Sequence, residues 1–298
     1  MTFAVAIGKF DALHRGHFAL VERAAALGRP TLLTFSGQAE SLGWEARLPL
    51  VAPDDRARVL AEWSAVLGVP IATHEMSFAE VRSLAPAEFF AHLRALVPLG
   101  AVVVGGDFRF GRNRAGDAGN LAELADMAGI ASAIVPAVEA HGEVISSSRI
   151  RAALDHGDVA IARLLLGRPH RLLGTVARGD GRGRTLGFPT ANCAGYANLM
   201  PAPGVYAAWA VLDGVRIPAA VNIGRLPTIG PDRPLTVEAH LIGWQGDCYD
   251  ARLGLDFISR LRPERRFPSL AALTAQLAED VRMAQAALAA GEDRKIDL

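Results

Sequence analysis

Near Gly167-Arg168-Pro169 the chain changes the period of its apolar residues, and no single layered architecture accommodates both halves. Upstream, short β-branched or apolar runs alternate with longer stretches of helical period. Phe3 to Ile7 reads as a buried strand and about Gly16 to Leu27 as a helix ended by Gly28 and Pro30. Thr31 to Phe35 follows as a strand, Asp54 to Leu67 as a helix with Asp54 as N-cap, and Val69 to Thr73 as a strand. Pro86 opens another helix, and Ala101 to Val104 and Ile130 to Val135 read as fully buried strands around a helical stretch from about Ala118 to Met127. This rhythm predicts an α/β doubly wound parallel sheet.

Downstream the runs shorten and are broken by Gly, Pro and Asp: Val205 to Leu212, Pro218 to Ile223 and Leu235 to Ile242. Such spacing predicts a small antiparallel β-barrel. From Ser269 to about Ala290, Leu270, Leu273, Leu277 and Val281 fall on one helical face, which predicts a C-terminal helix packed across that barrel. With 298 residues there is chain enough for two domains, placed at 1–168 and 169–298.

Charge narrows the partners. Lys plus Arg and Asp plus Glu number 31 each, with the arginines scattered among acidic residues, so no basic stripe meets a nucleic-acid backbone. Cys193 and Cys248 lack CxxC spacing, which argues against a disulfide framework or a zinc site and fits a reducing cytoplasm. No apolar run reaches the roughly 18 residues that span a bilayer. The expectation is a soluble protein acting on small molecules, without a membrane partner; its oligomeric state is not written in the sequence.

The segment from Gly8 to His17, GKFDALHRGH, sits where the first strand turns into a helix, the position at which open α/β sheets bind ligands. Helix N-terminal amides favour anions there. His14 and His17, spaced i and i+3, can face one phosphate from the first turn. Two histidines taken blindly are surface or capping residues; location and spacing together favour the phosphate. The HxGH string preceded by GxFD resembles the signature of the nucleotidyltransferase superfamily. Ile145 to Arg151, ISSSRIR, is similar to that family's SSTxIR segment, and Val104 to Gly111, VGGDFRFG, to a loop of bacterial flavin adenylyltransferases continued by Arg114, Gly116 and Asp117. The resemblance implies that the FMN phosphate attacks the α-phosphorus of ATP directly, with His14, His17 and Arg151 stabilising the developing charge. It places Gly8, Phe10, Asp11, Asp107, Ser147 and Ser148 among the nucleotide-binding residues.

A second constellation begins at Gly174 and includes Gly179, Gly183, Arg184 and Gly187. Glycines let backbone amides approach phosphate, although a Gly-Arg loop taken alone is more often a connector. The string from Gly183 to Asn192, GRTLGFPTAN, resembles the riboflavin kinase signature. Thr190 and Asn192 offer hard oxygens suited to Mg²⁺ shared with ATP phosphates. Glu238, in TVEAHL, is the candidate base for the terminal ribityl hydroxyl of riboflavin and matches the family's catalytic glutamate. Pro189, Asn222 and Arg262 join the cofactor-binding set, and Pro227-Thr228, Gly246-Asp247 with Tyr249, and Phe257 to Arg262 follow in family order.

The chain as a whole thus resembles bifunctional bacterial riboflavin kinase/FAD synthetases, which implies ATP and Mg²⁺ as requirements and riboflavin, FMN and FAD as substrates and products. It departs from the pattern at Ser36 to Glu40, SGQAE, where relatives read a PHP-like string, at Gly106 in place of an acidic residue, and at Lys9 in place of Asn. Those departures keep open a kinase carrying a degenerate or differently specific nucleotidyltransferase domain. Non-enzymatic flavin-nucleotide binding would need no Glu238, Thr190 or Asn192.

Overall fold

The computed structural model describes residues 2–45, 47–179, 181–224 and 235–292. Asp180 in the Gly-Arg loop and the Pro227-Thr228 landmark lie outside the described residues. The chain divides into two compact units, residues 1–47 with 54–146 and residues 48–53 with 147–298.

The first unit is built on β1 (Phe3–Ile7), α1 (Arg15–Ala25), β2 (Arg29–Ser36), α2 (Arg56–Leu67), β3 (Ala72–Ser77), α3 (Pro86–Leu96), β4 (Leu99–Gly105), α4 (Ala118–Met127) and β5 (Ala131–Val135). Its strands pair in parallel in the order β3-β2-β1-β4-β5. Strand order therefore reverses between β1 and β4, which opens a crevice at their carboxyl ends. One side of the sheet buries Val5, Ile7, Leu33, Val102 and Val104 against Phe89, Phe90, Leu93 and Leu121 of α3 and α4. Capping is local: Pro86 occupies the first turn of α3, and Asp117 and Asn120 exchange hydrogen bonds of 2.9 and 3.3 Å at the start of α4.

Three expectations are corrected. Asp54 is not the N-cap of α2; a 3₁₀ turn over Pro53–Asp55 precedes the helix, and Asp55 is the capping position, held by a bidentate pair with Arg58 at 2.7 Å. The third strand is Ala72–Ser77 rather than Val69 to Thr73, because Gly68, at φ +66°, closes α2 and Val69 still bonds back to Ser64. The strand read over Ile130 to Val135 is not fully buried: β5 is the sheet edge and Ile134 is 48% exposed. An apolar run reports strand propensity without saying whether a neighbour covers it.

The second unit opens with α5 (Ser147–Asp155) and α6 (Val159–Leu166), followed by β6 (His170–Ala177), β7 (Ala191–Ala194), β8 (Gly204–Leu212), β9 (Val215–Gly224), β10 (Thr236–Leu241), β11 (Arg252–Arg262) and α7 (Leu270–Glu292). Antiparallel pairing closes these strands into a barrel in the order β6-β7-β10-β9-β8-β11. Strict alternation explains it: Val237, Ala239 and Leu241 of β10 and Ile217, Ala219, Val221 and Ile223 of β9 fill the interior, while their neighbours face out. α7 covers the outer wall of β8, where Ala284 and Leu288 meet Ala207 and Ile258. Leu273, Leu277 and Val281 are partly buried as expected, but Leu270, placed on that face by its spacing, is 70% exposed because it begins the helix before the contact starts.

Candidate active sites

The turn between β1 and α1 stands at the mouth of the β1/β4 crevice. Phe10 and Leu13 both take left-handed backbone conformations, at φ +46° each, and both are fully buried. Such values are uncommon for bulky side chains and mark a turn over-determined by its surroundings. His14 is the N-cap of α1: its Nδ1 accepts the His17 backbone N–H at 3.2 Å. That bond places the proton of a neutral His14 on Nε2, leaving a ring N–H as donor. The His14 and His17 rings stack at 3.6 Å between centroids, and Phe10 meets His17 edge-on at 5.0 Å. A Cβ at Gly16 would come 3.1 Å from the His14 ring, so a side chain there would require the imidazole to shift by a few tenths of an ångström. Gly8 donates to the Leu33 carbonyl, tying the turn to β2.

Asp107 lies just past β4, on the other lip of the same crevice, and is exposed. A Cβ on Gly105 would sit 2.9 Å from its carboxylate. Phe108 and Phe110 stack behind it, and Arg109 pairs with Asp117 at 2.9 Å. Backbone donation from Asn120, then Arg109, holds the Asp117 carboxyl below the usual carboxylate range. Asp11 is half-buried, and Lys9 places its ammonium 5.1 Å from the Trp44 ring. Ser147 and Ser148 form the first turn of α5, in the second unit, and Arg151 follows one turn on, its Nη1 donating to the Leu48 carbonyl at 2.7 Å.

On the barrel, register brings distant residues together. Asn192 of β7 pairs with Glu238 of β10, and Glu238 pairs in turn with Asn222 of β9. Directly opposed residues point to the same face, so the three side chains form a row on the outer wall, each half-buried. The row continues through Val205 of β8 to Arg262 of β11. The Gly-Arg loop folds over this wall: a Cβ at Gly179 would collide with the Asn192 carboxamide, and one at Gly183 with the Phe188 carbonyl, 3.4 Å from the Thr190 hydroxyl. Gly187 has φ +82°, and the Pro189 carbonyl accepts from His240 at 2.8 Å, two residues along β10 from Glu238. Arg184 is exposed beside them. Gly174 serves the barrel itself, since a Cβ there would come within 2.6 Å of the Ala194 carbonyl and the Cys193 sulfur.

Two families account for these two constellations. The FAD synthetase family matches residues 2–149, and the riboflavin kinase family matches residues 166–288. The Pseudomonas fluorescens bifunctional riboflavin kinase/FMN adenylyltransferase is 38% identical over 97% of this chain and 94% of its own length. The chain belongs to the bifunctional riboflavin kinase/FMN adenylyltransferase family. The Bacillus subtilis member is 32% identical over 93% of this chain and 89% of its own. A solved structure described as a macrolide-efflux protein from Streptococcus pneumoniae superposes with a TM-score of 0.83 at 29% identity, covering 95% of this chain and 94% of that one. Among the described residues here, no helix is long and apolar enough to cross a membrane.

The sequence resemblance implies Mg²⁺ as a requirement, and the residues present can be tested against it. Among the described residues no group of three or more His, Cys, Asp or Glu forms a metal cluster. The Thr190 hydroxyl and the Asn192 carboxamide instead supply two neutral oxygens under a loop cleared by Gly179 and Gly183. That donor set fits a cation whose remaining ligands are phosphate and water. Arg262 is engaged differently: Asp280 of α7, 2% exposed, accepts from it twice, at 2.8 and 2.7 Å, and also from Gln276 at 2.6 Å. Asp280 and Arg56, which donates to the Phe10 carbonyl at 2.8 Å, are absent from the sequence-derived set. Neither stands in a recognisable string.

Proposed function

We propose that residues 169–298 phosphorylate riboflavin on the outer barrel wall and that residues 1–168 transfer the adenylyl group of ATP to FMN at the β1–α1 turn. The observation that carries the reading is the row Asn192, Glu238, Asn222 beneath a loop whose Gly179 and Gly183 pack too closely on Asn192 and Phe188 for a side chain. In the first reaction Glu238 takes the proton of the terminal ribityl hydroxyl; its oxygen bonds to the γ-phosphorus of ATP and ADP leaves. Thr190 and Asn192 would hold Mg²⁺, which when bound neutralises charge on the ATP phosphates. Gly179, Gly183, Arg184, Gly187 and Pro189 line the nucleotide side, with Gly174 shaping the strand beneath and Asn222 and Arg262 extending the row.

In the second reaction an FMN phosphate oxygen bonds to the α-phosphorus of ATP and pyrophosphate leaves, giving FAD. His14, through Nε2–H, His17 and Arg151 stabilise the charge that builds on the phosphate oxygens. Gly8, Phe10, Asp11, Asp107, Ser147 and Ser148 bind the nucleotides. The substrates are small molecules, and the proposed location is the cytoplasm. The test is chromatographic separation of products from purified protein with Mg²⁺-ATP and either riboflavin or FMN. FAD from both substrates is expected. FMN accumulating without FAD would leave a kinase whose altered Ser36 to Glu40 segment and Gly106 have changed the first unit's chemistry, and no product from either would end the proposal.

A further inference from the structure

We infer that Arg56 is a positioning residue for adenylyl transfer, holding the β1–α1 turn in the conformation that presents His14 and His17. The inference rests on the reading of that turn as the adenylyl-transfer site. Arg56 is the first residue of α2, directly after the acidic pair Asp54 and Asp55, of which Asp55 is paired with Arg58; within the helix the first turn holds no acidic residue, and the dipole there disfavours a cation. Its side chain is partly buried, and Nη2 is buried without a hydrogen-bond partner among the described residues. Burial accordingly lowers its pKa, with the charges of Asp11 and Glu75 opposing the shift.

A cation partly withdrawn from water at a helix start needs a use, and its hydrogen bond supplies one. Arg56 Nη1 donates to the carbonyl of Phe10 at 2.8 Å. Phe10 is the left-handed residue that begins the turn, its ring packs edge-on against His17, and His17 stacks on His14. A side chain of this size does not rest at φ +46° unless its peptide is held. Relaxation of that peptide would move the Phe10 ring and, through it, both imidazoles. Arg56 thus acts through the turn rather than on the substrate.

The test measures FAD formation from FMN and FMN formation from riboflavin in the same full-length preparations. Arg56→Ala is expected to lower kcat for FAD formation by about 10–100-fold, the scale of a small misplacement of catalytic groups. KM for FMN and ATP should stay within about threefold, since ground-state contacts are untouched. Arg56→Lys, whose ammonium can still donate to the Phe10 carbonyl, should recover part of the loss. Riboflavin phosphorylation should not change, which shows that the second unit is folded, while the retained KM values for FMN and ATP report that the first is. Arg56→Ala combined with His14→Ala should be no slower than His14→Ala alone. An unchanged kcat in Arg56→Ala, a loss confined to KM, or losses that multiply in the double variant overturns the inference while leaving the turn's assignment intact. If His14→Ala itself forms FAD at the normal rate, the assignment of the turn fails first.

Discussion

The two proposed sites of this chain are assembled in opposite ways. At the β1–α1 turn the chemistry is contiguous: from Gly8 to His17 one stretch of backbone leaves a parallel strand, takes two left-handed residues and enters a helix whose N-cap is itself His14. On the barrel it is dispersed: Asn192, Asn222 and Glu238 are ordinary residues of three strands, and only antiparallel register sets them side by side. A parallel sheet offers its strand ends, so a single connection can hold most of a site. A closed antiparallel barrel offers its wall, so the site is a row across strands and a separate loop must cover it. The first design concentrates risk in one strained turn; the second spreads it over pairing register.

This contrast predicts which damage stays local. Glu238→Gln should reduce riboflavin phosphorylation by about 10²–10⁴-fold, the usual worth of a positioned base, and leave FAD formation from supplied FMN unchanged. A steady-state assay of each half-reaction decides it, and equal losses in both would erase the distinction between the sites. His14→Ala is expected to cut FAD formation by about 10²–10³-fold with normal FMN formation, as for removal of one donor from a charge-stabilising set. A smaller effect follows Gly179→Ala, whose methyl group must displace the Asn192 carboxamide. Kinase turnover should fall about tenfold and the unfolding free energy of the barrel should drop by about 1–3 kcal/mol, the cost of overpacking, measured by denaturant titration. Retained turnover there would mean that the loop does not press on Asn192.

The smallest expected effect tests strand alternation itself. Cys193 follows Asn192 and faces the barrel interior, where burial pushes its thiol up to about 11. Native protein at pH 8 should show no iodoacetamide label on Cys193 by mass spectrometry, and full label after denaturation. Labelling of the native thiol would reverse the faces of β7 and remove Asn192 from the wall, because a one-residue slip exchanges every side chain.

How far each site was legible in the sequence follows the same division. The GKFDALHRGH turn could be read directly, since its residues are neighbours and its position follows from the strand before it. Glu238 could not be read from alternation alone, since a strand glutamate is ordinarily solvent-facing; the match of TVEAHL to the family's catalytic glutamate singled it out, and strand pairing sets it beside Asn192. The boundaries of helices and strands were close at Gly28 and Pro86, and shifted where capping was shared, as at Asp54 and Asp55, or where the chain after a helix-ending glycine bonds back before the strand begins, as from Gly68 to Ala72. Exposure of β5 had no local sign. Nor did the grouping of residues 48–53 with the second unit, which rests on bonds such as Leu199 N–H to the Pro49 carbonyl and Asn198 Nδ2 to the Leu50 carbonyl, far apart in sequence. Arg56 and Asp280 were silent because each acts through one other residue, Phe10 or Arg262, rather than through a motif.

The central claim is that two chemically independent sites share one chain, and the most direct measurement mixes two variants. Glu238→Gln and His14→Ala proteins are each supplied with Mg²⁺-ATP and riboflavin, separately and then together, and FAD is quantified by chromatography. The account predicts none above background from Glu238→Gln, FMN alone from His14→Ala, and FAD from the mixture, as FMN made by one chain is adenylylated by the other. A mixture that accumulates FMN and forms no FAD would contradict it.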